Sequence, residues 1–569
     1  MFVLFVLAYS AMGARLFVLQ IMDAPAYAQR ALDQRQREIT FPARRGAILD
    51  RNGEPLAISV DLNSVFTDPA HVEDARSAAR KLAPVLGVEA SELAGKLRGT
   101  SPGDRFEYLA RQVSPEVARR VRALDLPGVY MEAEPKRYYP GGKLAAHLLG
   151  FADIDGLGVA GLELQYEDIL RGTPGKMVLE QDPAGRPLPQ AEFEHVPAHP
   201  GRSLVLTIDK DIQYFTQLTL RQATARFGAV AGTAIVMRPG TGEILALANT
   251  PDYDPNRAGD SPADAQRNRA LTDVYEPGSA YKIVTAAAAL EEGVVTPKTS
   301  FVVADSQQIA DRVIHDSHAH PTEKMSVTEI IEQSSNVGTV QIGIKVGKDT
   351  LDSYIRRFGF GERTGLDFPG ESPGIVIDKD DWSGSTIGTV PIGQGIAATA
   401  LQMASAYATV ANDGVKLEPK LLSATMNDRG LEPSARSAAR RVVSRATASA
   451  LTRILTGVVE RGTGIEAQIP GYDVAGKTGT AQKPAADGGY GDTYVASFAG
   501  FAPARRPAVV VIVVLDEPTP IWGGTTAAPT FRTITQYALR HLGVSPTGNA
   551  VRAAREIETE QAGAPAAHD

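Results

Sequence analysis

Eight consecutive apolar residues, AVVVIVVL at 508–515, read as a β-strand covered on both faces. A strand points alternate side chains to opposite sides, so an unbroken apolar run needs a layer above and a layer below. YVASFAGF (494–501), set off by Pro503 to Pro507, reads as its neighbour in the sheet. GTAIVMRPGTGEILALANT (232–250) places two apolar runs around Pro239-Gly240-Thr241-Gly242 and predicts a hairpin. Between these strands lies a mostly helical stretch that includes TALQMASAYATVAND (399–413). The pattern is α+β: a sheet flanked by helices.

A chain of 569 residues is too long for one core and predicts about three or four domains. Residues 1–22, MFVLFVLAYSAMGARLFVLQIM, have the length and composition of a membrane-spanning anchor, with Arg15 near enough one end to snorkel. Small residues in DAPA (23–26) resemble a cleavage site, but no basic segment precedes the apolar run, so an uncleaved anchor is expected. Residues 23–200 mix short β-like runs with polar turns. A helical subdomain is inserted at about 66–126, where HVEDARSAARKLAPVLGV (71–88) has helical period and SPEVARRVRALDL (114–126) opens with Ser114 as cap and Pro115 in the first turn. Pro197, Pro200 and Gly201 mark a boundary before the alternating SLVLTID (203–209), which opens a domain at 201–547. The polar, Ala/Pro-rich tail 548–569 is expected to be disordered.

A net charge of −8 argues against nucleic acid as the main partner, because phosphate binding needs a basic footprint. The chain has no cysteine, which excludes disulfides, thiolate catalysis and zinc-thiolate sites.

Candidate chemistry begins at EPGSAYKIVTAAAAL (276–290), where Ser279 and Lys282 stand three apart at the head of an apolar helix. Residues three apart share a helix face. QSSNVG (333–338) supplies Ser334 and Asn336 in a turn after the helical SVTEIIE, and VAGKTGTAQK (474–483) supplies Lys477, Thr478, Gly479 and Thr480 in a strand-like run. Each element meets a need of acyl transfer. Ser279 is the candidate nucleophile, with helix N-terminal N–H groups to stabilise an oxyanion. Lys282 must be neutral to take its proton, a bias of about 4 kcal/mol against the cation. Burial supplies part of that bias, and a neighbouring cation such as Lys477 the rest. Ser334 can relay a proton, and Asn336 can fix Lys282 and a substrate amide. Gly479 would let a substrate backbone lie against the edge strand, with the Thr480 N–H as second oxyanion donor.

Ser-x-x-Lys, Ser-x-Asn and Lys-Thr-Gly in this order resemble the penicillin-recognising serine acyltransferases. RGAILDRNGEPLA (45–57), RYYPGG (137–142), AHLLGF (146–151) and GVAGLELQYEDILRGTPG (158–175) resemble the pedestal motifs of class B penicillin-binding proteins, with Arg45 and Glu163 as buried scaffolding. FGFG (358–361), TGLDFPGE (364–371) and IGQG (392–395) extend the resemblance, which runs from about residue 15 to 545. Asn336 in Ser-Ser-Asn is similar to the division-type, FtsI-like septal transpeptidases; elongation-type relatives usually carry Asp there. Ala280-Tyr281 replaces the more usual Thr-Phe between serine and lysine, which alters packing and leaves both functional side chains.

The resemblance implies a transmembrane helix, a mixed elongated pedestal, and a transpeptidase domain with a five-stranded antiparallel sheet and an all-helical part. It implies a peptidoglycan D,D-transpeptidase without cofactor or metal, in which Ser279 attacks a D-Ala-D-Ala bond, releases D-alanine and passes the acyl group to an amine. The implied partners are stem peptides, lipid-linked precursor polymer, β-lactams, an FtsW-like membrane glycan polymerase and other division proteins. The implied place is the bacterial cytoplasmic membrane, crossed once, with the catalytic domain outside. A β-lactamase, a D,D-carboxypeptidase and a non-enzymatic β-lactam sensor share the motifs. HDSHAH (315–320) holds His315, His318 and His320 at irregular spacing, expected as loop histidines near the site entrance rather than as zinc ligands.

Overall fold

The structure is a computed structural model and describes residues 1–25, 27, 36–99, 101, 104–180, 194–485 and 489–547. The tail 548–569, expected to be disordered, lies outside the described residues. The chain divides into two compact units, residues 1–46, 59–137 and 168–202 in one, and residues 47–58, 138–167 and 203–569 in the other.

In the first unit the N-terminal helix Phe2–Phe17 continues as a π-turn, Val18–Met22, and together they are long and apolar enough to cross a membrane. A three-stranded antiparallel ribbon follows, with Gly175–Glu180 between Gln36–Phe41 and Glu194–Val196. The helical subdomain packs Ala75–Leu86, Ala90–Arg98 and Pro115–Ala123 with strand Glu107–Val113 around Leu82, Leu93, Leu97, Leu109 and Val121. The Asp74 carboxylate caps the first of these helices at the N–H groups of Arg76 and Ser77. Ser114 caps the third at Val117, with Pro115 in the first turn as the sequence predicts. The middle helix escapes a reading by period because it is short and its cap position is Glu89, which makes no side-chain cap. Arg45 is buried as expected.

The second unit is built on a sheet. Its elements are α1 (Lys210–Arg226), β1 (Ala231–Met237), β2 (Ile244–Thr250), α2 (Lys282–Glu291), α3 (Val327–Glu332), α4 (Asn336–Val346), α5 (Ala400–Ala411), α6 (Arg445–Arg461), β3 (Ala475–Pro484), β4 (Tyr490–Ala502), β5 (Val509–Asp516) and α7 (Gly523–His541). The five strands are antiparallel in the order β2-β1-β5-β4-β3, so β3 forms one edge. Val513 stands opposite Ala234 on one side and Phe498 on the other. Every residue of β5 but its last is buried, as its unbroken apolar run requires.

Ala234, Val236, Val511, Val513 and Phe498 form one core with Leu220 of α1 and Phe531 and Ile534 of α7. The Phe498 and Phe531 rings lie 4.6 Å apart; truncating either to Ala costs about 3–5 kcal/mol. Helix α5 packs on β1, β4 and β5, and a capping box between Thr399 and Gln402 starts it. Another capping box, Ser326 with Glu329, starts α3. SLVLTID yields strand Ser203–Leu206, which pairs antiparallel with Leu422–Asn427 and parallel with Ile48–Leu49. Glu163 is fully buried and accepts a hydrogen bond from the Tyr139 hydroxyl at 3.2 Å.

Candidate active site

Ser279 sits in a single 3-10 turn, Gly278–Tyr281, that runs directly into α2, so the helix head read from the sequence is wound more tightly than an α-helix. Gly278 adopts φ +51° and donates its N–H to the Gly393 carbonyl at 3.1 Å. A Cβ on Gly393 would stand 2.4 Å from the Gly278 oxygen, which is why a glycine of the IGQG stretch lies under the serine turn. Three further bonds hold the turn and the glutamate that precedes it. The Tyr407 hydroxyl donates to the Ala280 carbonyl at 2.9 Å, and the Glu276 carboxylate accepts from Gly395 N and the Tyr490 hydroxyl, both at 2.9 Å.

Lys282 is fully buried. Its Nζ donates to the Ser334 carbonyl at 2.6 Å and to Asn336 Oδ1 at 2.8 Å, with Ser334 Oγ at 3.3 Å. Burial lowers its pKa to about 7, and the negative charge of Asp316 works against that shift. Lys477 is also fully buried. Its pKa is held well below the ordinary lysine value, first by burial and then by repulsion from Lys282. Burial, expected for Lys282 from its apolar helix, is thus the first cause of the depression at both amines. Among the described residues no hydrogen bond joins the Ser279 hydroxyl to Lys282.

Ser334 and Asn336 do not share a turn. Ser334 ends the link after α3 in the left-handed region at φ +64°, while Ser335 caps α4 at Gly338 N and Asn336 is its first residue. Ser334 is a β-carbon residue in a conformation that glycine favours, strain of a kind that collects at functional sites. The Asn336 Nδ2 group donates to the His315 carbonyl at 2.8 Å, so its Oδ1 is turned to Lys282.

On β3 the alternation of side chains sends Thr478 and Thr480 into the cleft and Lys477 beneath it. Lys477 Nζ lies 3.2 Å from Thr478 Oγ1 and 3.4 Å from Thr463 Oγ1, and the two threonine hydroxyls are 2.8 Å apart. Thr463 is absent from the sequence reading; its only local signal is its place between Gly462 and Gly464. Thr480 Oγ1 accepts the Gly523 N–H at the head of α7. At Gly479 the structure adds a reason to the substrate approach expected from the sequence. A Cβ there would lie 2.3 Å from Ser497 Oγ and 2.9 Å from the Pro277 carbonyl, so its missing side chain admits the serine turn.

Ser279, Ser334, Asn336, Thr463, Thr478 and Thr480 line one cleft of about 450 Å³, together with His318 and Trp522, whose rings are stacked 6.1 Å apart. The three histidines of HDSHAH are placed separately. His315 ends strand Arg312–His315 rather than lying in a loop, His318 faces Ser317 Oγ, and His320 pairs with Asp316. The grouping of possible metal ligands found among the described residues is Asp209, Asp211 and His541, none of which lines the cleft. Asp209 already caps α1 there. A hydroxyl at a helix head, three positions from an amine that burial holds near neutrality at pH 7, is equipped for nucleophilic attack with proton transfer to nitrogen.

Residues 232–536 match the penicillin binding protein transpeptidase domain, and residues 40–206 the penicillin-binding protein dimerisation domain. The probable peptidoglycan D,D-transpeptidase PenA of Neisseria meningitidis is 38% identical over 518 residues, 90% of this chain and 87% of that protein. The peptidoglycan D,D-transpeptidase FtsI of Escherichia coli is 34% identical over 510 residues, 88% of this chain and 84% of that protein. The crystal structure of penicillin binding protein 3 of Mycobacterium tuberculosis complexed with aztreonam aligns with a TM-score of 0.71 at 33% identity, covering 90% of this chain and 98% of that one. The chain belongs to the class B penicillin-binding proteins, which makes it a serine-type transpeptidase.

Proposed function

We propose that this protein is a peptidoglycan D,D-transpeptidase of septal wall synthesis, and that Ser279, Lys282, Ser334, Asn336 and Lys477 carry its chemistry. Lys282 takes the Ser279 proton as the hydroxyl oxygen attacks the carbonyl of a D-Ala-D-Ala bond. The Ser279 and Thr480 N–H groups receive the oxyanion, and Thr478 and Gly479 shape the strand along which the peptide lies. Ser334, within reach of the Lys282 amine, returns a proton to the departing D-alanine nitrogen. The acyl-enzyme then loses its acyl group to an amine on a neighbouring stem peptide, and Ser279 recovers its proton. β-Lactams acylate the same serine. The single observation that carries this reading is the fully buried Lys282 amine, gripped by Ser334 and Asn336 and lowered to a pKa of about 7.

Residues 23–200 act as a pedestal and 201–547 as the catalytic domain, with the helix at residues 2–22 as the single anchor in the bacterial cytoplasmic membrane. The septal role rests on Asn336 in Ser-Ser-Asn and on the likeness to FtsI. It sets the enzyme beside an FtsW-like glycan polymerase and other division proteins, acting on polymer made from lipid-linked precursor.

Incubation of the full chain in detergent micelles with a fluorescent penicillin tests the reading. A long-lived adduct on Ser279, absent from Ser279→Ala, is expected. A label that disappears within seconds as penicillin is consumed indicates a β-lactamase, and no label at all indicates a scaffold.

A further inference from the structure

Asp316 has no part in the acyl-transfer steps, yet it is buried at the point where the Asn336 helix begins. Its side chain is 7% exposed. One carboxylate oxygen, Oδ1, accepts the backbone N–H groups of both Asn336 and Val337, the latter at 2.9 Å. These are among the unpaired donors of the first turn of α4, and they sit at the positive end of its dipole. The other oxygen, Oδ2, faces His320 Nε2 at 3.0 Å. His320 Nδ1 lies 2.8 Å from the Pro321 carbonyl and 3.5 Å from Glu323. One residue before Asp316, the His315 carbonyl holds the Asn336 amide nitrogen. Residues 315–320 thus fix Asn336 at three points: its main-chain N–H, the N–H that follows it, and its side-chain amide.

Asn336 can offer Oδ1 to Lys282 only while that amide is held. Asp316 is also the anion felt at the buried Lys282 amine, and that amine is in turn the cation felt at Lys477. We infer that Asp316 is a positioning residue for the transpeptidase reaction, which aims Asn336 through the cap of α4 and brings a carboxylate charge to bear on the Lys282 amine. The inference rests on Lys282 as the base.

Asp316→Asn separates the two effects. Asparagine keeps an oxygen for both N–H groups and can donate to a neutral His320 Nε2, so the cap survives while the charge goes. The test measures the second-order rate of acylation of the full chain by a fluorescent penicillin from pH 5.5 to 8.5, with melting temperature as a check on folding. In Asp316→Asn the plateau rate stays within about threefold, and the acid limb moves down by about half a pH unit, because a carboxylate that favours the ammonium has been removed. In Asp316→Ala the plateau falls at least about tenfold as Asn336 is released. An acid limb of Asp316→Asn that coincides with that of the unaltered protein overturns the inference and leaves Lys282 as the base. A rate for the unaltered protein that is flat across the range overturns both.

Discussion

The serine turn at 278–281 and the Ser334 turn both depart from regular backbone, and they are held in opposite ways. In the first, the left-handed residue is Gly278, which contributes no side chain and carries little strain, and the turn is fastened through its own backbone, by the Gly393 carbonyl and the Tyr407 hydroxyl. In the second, the left-handed residue is Ser334 itself, whose hydroxyl lies 3.3 Å from the Lys282 amine. A glycine there would relax the chain and remove the hydroxyl. The strain is held by neighbours instead: Ser335 caps α4, Asp316 seals it, and the buried Glu332 carboxylate pairs with Arg461 of α6. Glycine serves where only the path of the chain matters, and a strained side chain is kept where its own atoms are used.

The largest effect bears on the group both turns serve. Lys282→Ala is expected to fold and to lose at least about a thousandfold in acylation rate, since a general base and its oriented contacts go together; normal labelling of that variant would remove lysine from the base role. Gly393→Ala tests the backbone side of the comparison. Its Cβ collides with the Gly278 carbonyl, a main-chain atom that cannot turn aside, so a loss of about 2–3 kcal/mol in stability and a large fall in acylation are expected by urea unfolding and labelling.

The pH profile gives the next largest effect. With the Lys282 pKa lowered to about 7, the reactive neutral amine is the minor form below that pH and the major form above it. Acylation is therefore expected to rise about tenfold from pH 6 to pH 8 in a stopped-flow assay. The smallest effect belongs to the strained side of the comparison. Ser334→Gly is expected to gain about 1 kcal/mol of stability from relief of the left-handed conformation while acylation falls. A loss of stability would mean that the Ser334 backbone carries no strain.

Much of this site is legible in the chain, because its chemistry needs particular side chains in short runs. Ser279 with Lys282, Ser334 with Asn336, and Lys477 with Thr478 and Thr480 each announce themselves within a few residues. The sheet is legible for a similar reason: the apolar run of β5 and the Pro-Gly turn between β1 and β2 are local signals. What the chain hides are the contacts made at a distance. Asp316 lies between two histidines and reads as part of a histidine cluster; only folding shows that the carboxylate, not the imidazoles, meets the Ser-x-Asn segment. Thr463 reads as a loop threonine until β3 brings Thr478 to it. Gly479 is visible as a glycine, but the atoms that require it belong to Pro277 and Ser497.

The pairing of β5 with β1 also sets a timetable. Ala234 waits for Val513, which leaves the ribosome only after nearly all of the helical part has been made. At about 5–20 residues per second, the inner edge of the β1–β2 hairpin stands open for tens of seconds. An apolar, unpaired strand edge exposed for that long invites wrong partners. The last strand to be synthesised is the one that closes the middle of the sheet, so a chain cut short before residue 509 has two half-sheets with no seam between them.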